Sequence, residues 1–381
     1  MATTTTTIQQ TPVGSRKPSF KPIIEQIGAG VAKPKDTFDP KAHLNFKQPS
    51  KIHSMEEIGY SATTGVSPVA VSEPFQLFSQ TAVERMRSEI VQPEVMEKCQ
   101  FQSNIAASQL RGYAQKYAPF TYDAWNHPDT LAVVSKIAGV DLVPVFPYEI
   151  GHINFSVKSE EETASEIEAI TRERKAFADD EGIAGCPWED DKPVVGWHTD
   201  SYPFVCVLML SDCTNMVGGE TALVTGNNDI MKVRGPQMGC AVVLQGRYIT
   251  HQALRALGAA ERITSVTSFR PKSPFMRDET VLTSVRTVSD VSELYYDFGE
   301  YRLEILEARI QKQLKDIRDR RRANKKIDTK AFKAFLADQE AFLKHTNNEM
   351  VPEESLVMGH IQEVNMPTEG APRAAKRARV E

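Results

Sequence analysis

Runs of alternating apolar and polar residues dominate the middle of this chain. Residues 197–210 end in a long apolar segment, residues 239–246 indicate a buried strand that ends in a turn, and residues 262–270 alternate again. Residues 142–157 predict two further strands that enter the same core. We therefore expect a mainly β core over residues 140–275.

Helical patterns flank this predicted core. Residues 73–138 form a helical lead-in, whose first helix has Ser79 or Thr81 as a possible cap. The predicted helices cover residues 78–91, 94–117 and 131–137 before the core, 160–175 within it, and 293–322 and 329–344 after it, the last opened by Asp328. The expected class is α+β with a mainly β core and flanking N- and C-terminal helices.

An apolar stripe follows the first of the two C-terminal helices. Its members recur at mixed spacings of about three to five residues and are Ile305, Ile310, Leu314 and Ile317. Such a stripe either covers a sheet or forms a dimer face, and we favour the first interpretation.

Changes in composition mark the expected boundaries. Residues 1–70 are rich in Thr, Pro, Ser and Lys, which predicts a mostly disordered N-terminal arm that becomes ordered in its later part. Residues 71–290 predict one domain, with a charged insertion at 158–192 that is a solvated helix by default and an active-site lid as the alternative. Residues 291–345 predict the C-terminal helices, and residues 346–381 predict a flexible tail.

Three residues have the spacing of a metal site. His198 and Asp200 are two residues apart, so both side chains point to the same side of a strand. His251 comes from a distant predicted strand. Two imidazoles and one carboxylate on one side of a metal form the facial triad of non-haem Fe(II) oxygenases, which leaves positions open for substrate and O₂. Taken alone, His198 and Asp200 could be a surface ion pair, and the distant His251 favours the metal site.

The strand that follows His251 supplies a candidate anchor for an anion. Arg262 and Thr264 share a face of this strand, and an arginine binds a carboxylate through paired hydrogen bonds. Arg270 is a rival anchor, although Pro271 suggests that the strand ends there. A solvated charged loop is the other interpretation of Arg262.

Three metal ligands on two strands, together with an arginine in the same cavity, fit a double-stranded β-helix, also called a jelly-roll or cupin-like barrel. Such a barrel holds a metal between its two sheets and has room for one small ligand.

The order of these motifs resembles the Fe(II)/2-oxoglutarate-dependent dioxygenases over roughly residues 140–275. The element Gly218-Gly219-Glu220-Thr221, between the two histidines, is most similar to the prolyl-hydroxylase-like branch. The resemblance implies Fe(II), 2-oxoglutarate as co-substrate and O₂. It implies iron ligands at His198, Asp200 and His251, and a partner for the C5 carboxylate of 2-oxoglutarate at Arg262, with Thr264 as a helper.

In this fold type the second strand of the core often supplies a polar side chain to the co-substrate. The resemblance therefore implies Asn154 or Tyr148 as a further contact. His152, on the same strand, is a candidate for a fourth ligand, and we favour a supporting or packing role for it. Because Asp200 is present, the halogenating branch, in which a small residue occupies that position, is not expected.

The resemblance extends to fungal oxygenases that tailor small molecules. It implies oxidation of an unactivated C–H bond of a small molecule, either amino-acid-derived or a fungal secondary metabolite, by hydroxylation, desaturation or ring formation. Two alternatives are a nuclear 2-oxoglutarate oxygenase that acts on protein or nucleic acid, and a non-catalytic cupin-like binding module. The complete ligand set argues against the binding module, and the sequence specifies neither the substrate nor the oligomeric state.

Composition narrows the class of protein further. The net charge of −5 argues against general nucleic-acid affinity, and no apolar run approaches the ~20 residues that span a bilayer. Five scattered cysteines predict free thiols in a reducing compartment, and we expect an intracellular, cytoplasmic location. Residues 372–379 resemble a nuclear-import signal, and a solvated disordered end is the favoured interpretation.

Overall fold

The computed structural model describes residues 37–104, 108–178, 193–213, 216–233 and 237–361. Helices occupy Pro40–His43 (α1), Gln80–Ile90 (α2), Pro93–Lys98 (α3), Ala114–Tyr117 (α4), Pro119–Asn126 (α5), Pro128–Ala138 (α6), Glu160–Ala178 (α7), Val291–Arg322 (α8) and Thr329–Glu349 (α9). Single turns of 3₁₀ helix lie at Pro147–Glu149, Arg286–Val288 and Glu353–Ser355.

Sixteen strands are present in these ranges. They are Ile52–Ser54 (β1), Val69–Ser72 (β2), Phe75–Gln76 (β3), Gln100–Phe101 (β4), Gln109–Leu110 (β5), Leu142–Pro144 (β6), His152–Val157 (β7), Pro193–His198 (β8), Phe204–Met209 (β9), Val217–Gly218 (β10), Thr221–Val224 (β11), Ile230–Val233 (β12), Cys240–Leu244 (β13), His251–Leu254 (β14), Ala256–Leu257 (β15) and Glu261–Pro271 (β16).

Two antiparallel sheets form the core. The larger sheet has the order β1-β2-β13-β9-β16-β7-β5-β4, with β3 beside β13 and β6 beside β16, and the smaller sheet has the order β12-β11-β14-β8. Along the chain, β7, β9, β13 and β16 of the larger sheet alternate with β8, with the antiparallel pair β11 and β12, and with β14 of the smaller sheet. This alternation is a double-stranded β-helix, as the sequence predicted.

Side chains on the two faces of the larger sheet pack against different partners. On β16, Ile263 and Phe269 point outward and pack with Trp125 of α5 in a large apolar cluster. Val266, on the opposite face, packs against an apolar cluster between the two sheets. This inner cluster consists of Met55, Ile58, Ala70, Val71, Val205, Leu223, Val233, Val242, Leu244 and Ile249.

Two helix caps predicted from the sequence are confirmed. The Ser79 side chain accepts a hydrogen bond from the Ala82 N–H at the start of α2, and the Asp328 side chain accepts one from Ala331 at the start of α9.

The helix predicted over residues 94–117 is wrong. The segment contains α3, β4, β5 and α4, and Gln109 on β5 pairs with Asn154 on β7. Gly112 has a φ of +66°, which a regular helix does not allow. Pairing with the sheet therefore overrides the local helical pattern.

The apolar stripe predicted on α8 covers the core only in part. Ile305 is buried beside Phe298 and Tyr301, whereas Ile310 and Leu314 are exposed, so the interpretation that we favoured is wrong for those two residues. The later part of the predicted N-terminal arm contributes α1, β1 and β2. Residues 1–36, most of the predicted C-terminal tail including its basic cluster, and residues 179–192 of the insertion lie outside the described residues.

Among the helices that the structure describes, none is both long and apolar enough to cross a membrane.

Candidate metal centre

The two histidines lie side by side on neighbouring strands of the smaller sheet, at the end of β8 and at the start of β14. His198 is the last residue of β8, His251 is the first of β14, and the two are partners in the antiparallel register. Their ring centroids are 4.3 Å apart. His251 also pairs with Leu223 of β11, a member of the inner cluster, so both imidazoles face the space between the sheets.

Asp200 completes the set from the turn that follows β8. Its backbone N–H donates to the Gly246 carbonyl at 3.0 Å, which fixes the turn against the end of β13. Its Oδ1 lies 3.7 Å from Nε2 of His198, and its Oδ2 lies 3.6 Å from Nε2 of His251. The expectation that Asp200 lies on the strand itself is wrong, because β8 ends at His198.

The three side chains therefore form a metal-sized cluster. One ligand atom from each of His198, Asp200 and His251 lies within 4.8 Å of the others. A metal bound by these three donors alone would keep further coordination positions open.

Backbone carbonyl groups determine the tautomer of each histidine. Nδ1 of His198 lies 2.7 Å from the Gly196 carbonyl, and Nδ1 of His251 lies 2.9 Å from the Ile249 carbonyl. A carbonyl oxygen only accepts, so each Nδ1 carries the proton and each Nε2 presents a lone pair to a metal. Burial and the neighbouring His251 lower the pKa of His198 to about 4, which keeps this ring neutral.

Gly246 leaves the space that Asp200 needs. A Cβ added at residue 246 would lie 1.8 Å from Oδ2 of Asp200, so any larger residue displaces the carboxylate. Oδ2 is buried and has no hydrogen-bond partner among the described residues, as expected of an atom that binds a cation. The sequence predicts only a turn at Gly246 and gives no sign of this contact with Asp200.

Arg262 is a buried cation without a carboxylate partner among the described residues. It lies on the inner face of β16 with Thr264, and its Nε makes no hydrogen bond. Burial lowers the pKa of the guanidinium. Gly219, with a φ of +75°, passes beside it, and a Cβ at residue 219 would lie 3.6 Å from Nε. The Gly-Gly turn therefore lies within contact distance of the arginine.

The rival anchor Arg270 is occupied elsewhere. Its Nε donates to the Val145 carbonyl at 3.2 Å, and its guanidinium lies 5.1 Å from the centre of the Tyr301 ring.

Asn154 lies beside Thr264 on the inner face. The antiparallel register pairs Thr264 with Asn154 and Asn154 with Gln109, so these three polar residues form a row across β16, β7 and β5. Nε2 of Gln109 donates to Oδ1 of Asn154 at 3.2 Å.

Tyr148 does not belong to this row. It lies on the 3₁₀ turn before β7, not on the strand, and its ring packs with Phe146 and Phe298. Its hydroxyl accepts a hydrogen bond from the Asp290 N–H at 2.7 Å. Burial raises the pKa of this hydroxyl to about 12, so it stays neutral.

His152 is held by an arginine that the sequence analysis did not identify. Arg111 donates to Nδ1 of His152 at 3.0 Å and also binds the Glu149 carboxylate, and its Nε donates to Ser289 at 3.2 Å. Because arginine can only donate, Nδ1 of His152 accepts and Nε2 carries the proton. This N–H is buried and has no partner among the described residues. Burial and Arg111 lower the pKa of His152 well below its usual value.

Comparison with known proteins adds a set of distant structural matches. No protein-family model matches the chain, and no curated protein matches it. Similar solved structures include a Pseudomonas putida prolyl-4-hydroxylase, with 14% identity over 51% of this chain and 88% of that chain and a TM-score of 0.28. A 2OG-Fe(II) oxygenase family oxidoreductase from Burkholderia pseudomallei has 14% identity over 45% of this chain and 65% of that chain, with a TM-score of 0.28.

A third similar structure is the non-haem α-ketoglutarate-dependent epimerase SnoN from nogalamycin biosynthesis. It has 12% identity over 51% of this chain and 74% of that chain, with a TM-score of 0.33. These scores are too low to carry a functional argument. The fold assignment therefore rests on the strand order, and the function rests on the geometry of the site.

Replacing Gly246 with alanine should weaken metal binding. Because the new Cβ displaces the Asp200 carboxylate, we expect the Fe(II) dissociation constant, measured by anaerobic calorimetry, to rise by about 10- to 100-fold. Gly299→Ala is the matched control, since a Cβ there meets nothing within 4 Å. Equal affinities in the two variants would contradict this role of Gly246.

The metal-free protein should lose stability in mild acid. The pKa of His198 is about 4 in the folded chain against 6.5 for an ordinary histidine, so the unfolded chain binds this proton more tightly. Acidification through that window therefore favours unfolding. We expect a loss of about 3 kcal/mol that is attributable to His198. Urea unfolding at several pH values measures it, and His198→Gln should show a correspondingly smaller loss. Parallel pH profiles for the two proteins would refute the assignment.

Proposed function

We propose that this protein is an Fe(II)- and 2-oxoglutarate-dependent dioxygenase that oxidises a C–H bond of a small molecule. The observation that carries the proposal is the combination of a three-residue ligand set with Arg262, a buried cation without a carboxylate partner among the described residues, on the inner face of the same barrel. The ligand set alone would also suit zinc. The arginine favours an enzyme that holds a dicarboxylate beside its metal.

The ligand types agree with ferrous iron. Two neutral imidazoles and one carboxylate, bound on one face, leave positions for a bidentate co-substrate and for O₂. The Nδ1 hydrogen bonds of His198 and His251 orient both rings toward the iron.

Arg262 has the properties of an anchor for the far carboxylate of 2-oxoglutarate. A buried cation without an anion is costly, and a carboxylate that accepts two of its N–H groups removes that cost. Thr264, one pleat along the strand, would add a hydroxyl to the same ligand, and Asn154 lies next to it.

Iron held by His198, Asp200 and His251 would supply the oxidising power, with 2-oxoglutarate and O₂ consumed and succinate and CO₂ released. The protein binds and orients the substrate and shields the reacting groups from water. The inner cluster lies next to the site, since its member Leu223 is the register partner of His251, and its apolar side chains would help to exclude water from the reacting groups.

His152 extends this proposal to a further contact. Its Nε2–H is the kind of donor that an oxygen of 2-oxoglutarate requires, and Arg111 fixes the ring in the donating tautomer. We include His152 among the proposed co-substrate contacts and leave Tyr148 out, because the Tyr148 hydroxyl is already bound to the Asp290 backbone.

The proposed substrate is a small molecule, amino-acid-derived or a secondary metabolite. This class follows from the resemblance of the motifs to small-molecule-tailoring oxygenases, and the net charge of −5 is consistent with it. Hydroxylation, desaturation and ring formation share the same first step, removal of a substrate hydrogen.

Anaerobic titration with Fe(II) and 2-oxoglutarate tests the proposed function. We expect a weak visible charge-transfer band that requires both components. His198→Ala should abolish the band, because it removes an iron ligand. Arg262→Ala should raise the 2-oxoglutarate dissociation constant by roughly 10- to 100-fold, the effect of losing a charge-assisted hydrogen-bonded pair.

Arg270→Ala is the matched control, since it removes an arginine from the same strand that contacts Val145 and Tyr301 instead. It should leave the 2-oxoglutarate affinity unchanged. A protein that binds iron but shows no band with 2-oxoglutarate would exclude this co-substrate.

Two conservative variants test His152. Glutamine places a donor near the position of Nε2, whereas asparagine keeps an acceptor near Nδ1 for Arg111 and removes the donor. We expect His152→Asn to weaken 2-oxoglutarate binding by about tenfold, and His152→Gln to restore most of it. A purely structural role in holding Arg111 predicts the reverse order, so the same titration distinguishes the two roles.

A further inference from the structure

Helix α8 carries an exposed row of apolar side chains that its own chain leaves uncovered in the described ranges. Tyr296, Leu303, Ile310 and Leu314 are 76%, 63%, 41% and 38% exposed. Their spacings of seven, seven and four residues place them along one side of the helix. We call these four residues the outer stripe. Apolar residues scattered singly on a surface need no explanation, but a row of this kind indicates an interaction site.

The rest of α8 is already packed. Leu294, Phe298 and Ile305 are buried in the cluster beneath its first half. Toward α9, the guanidinium groups of Arg302 and Arg309 lie 3.5 and 4.5 Å from the centre of the Phe342 ring. These contacts within the chain use sides of α8 that do not include the outer stripe.

Gly299 is an independent sign that another helix approaches this side. It lies between Tyr296 and Leu303, within a regular helix, where a glycine costs about 1 kcal/mol relative to alanine. No turn requires it, since its φ is not positive, and a Cβ at this position would meet nothing within 4 Å. A missing side chain in open space permits close contact with a partner helix.

The distribution of charge along α8 favours one orientation for such a partner helix. Residues 291–307 contain five acidic residues and one basic residue, a net charge of −4, whereas residues 308–322 contain seven basic and two acidic residues, a net charge of +5. A second copy of α8 in antiparallel orientation places the acidic half of each helix beside the basic half of the other. A parallel copy would place like charges together.

We propose that the outer stripe is the interface of a homodimer, in which two copies of α8 pack antiparallel around a two-fold axis. The self-complementary charge pattern is what an isologous contact needs, because the same surface serves both chains. Leu303 of each chain lies opposite Ile310 of the partner subunit, on either side of the axis.

Sedimentation velocity of the full chain tests the interface. We expect a dimer at micromolar concentration that weakens as salt rises, because opposite charges contribute. Leu303→Glu should raise the dimer dissociation constant by at least about tenfold and leave the secondary structure unchanged by circular dichroism, since the side chain is exposed on its own chain. Leu343→Glu, at an exposed apolar position on α9, is the matched control and should leave the dimer intact.

Cysteine pairs test the orientation. Under mild oxidation, mixed Leu303→Cys and Ile310→Cys chains should form a cross-linked heterodimer, whereas neither variant should cross-link with itself. A monomeric wild-type protein, a dimer that Leu303→Glu does not weaken, or efficient cross-linking of Leu303→Cys alone would each overturn the proposal.

Discussion

Two hydrogen bonds to backbone carbonyl groups determine what the candidate metal centre can do. The Gly196 and Ile249 carbonyls each accept a hydrogen bond from the Nδ1–H of the histidine two residues later. If either ring carried its proton on Nε2 instead, the lone pair would face the backbone and the ligand set would be incomplete. Because donor and acceptor are two residues apart, the path of the chain at the ends of β8 and β14 fixes both rings.

The space between the sheets combines apolar walls with a few polar atoms that the described protein groups leave unpaired. Oδ2 of Asp200, Nε2 of His152 and Nε of Arg262 are all buried without a partner. Each of these atoms destabilises the folded chain, because a buried polar group loses its hydrogen bonds to water. Native interiors seldom contain such groups without a reason, and these three lie on, or directly after, strands of the two sheets that enclose the candidate site, as a ligand site requires.

The sequence predicted the parts of this site that depend on short-range spacing. His198 and Asp200 are neighbours in the chain, and the alternation of β16 placed Arg262 beside Thr264. The sequence did not predict the features that depend on contacts between distant segments of the chain. The pairing of β5 with β7 broke the helix predicted over residues 94–117. The need for glycine at residue 246 appears only when Asp200 is folded against it.

Strand β16 constrains how the length of this protein can change during evolution. Its inner face presents Arg262 to the cavity, while Ile263 and Phe269 bind the helices outside. A deletion of one residue between Arg262 and Phe269 would move the side chains on one side of the deletion to the opposite face of the sheet. Either Arg262 would then point toward the helices, or Phe269 would point into the cavity. This strand therefore does not tolerate a change in length between these two residues.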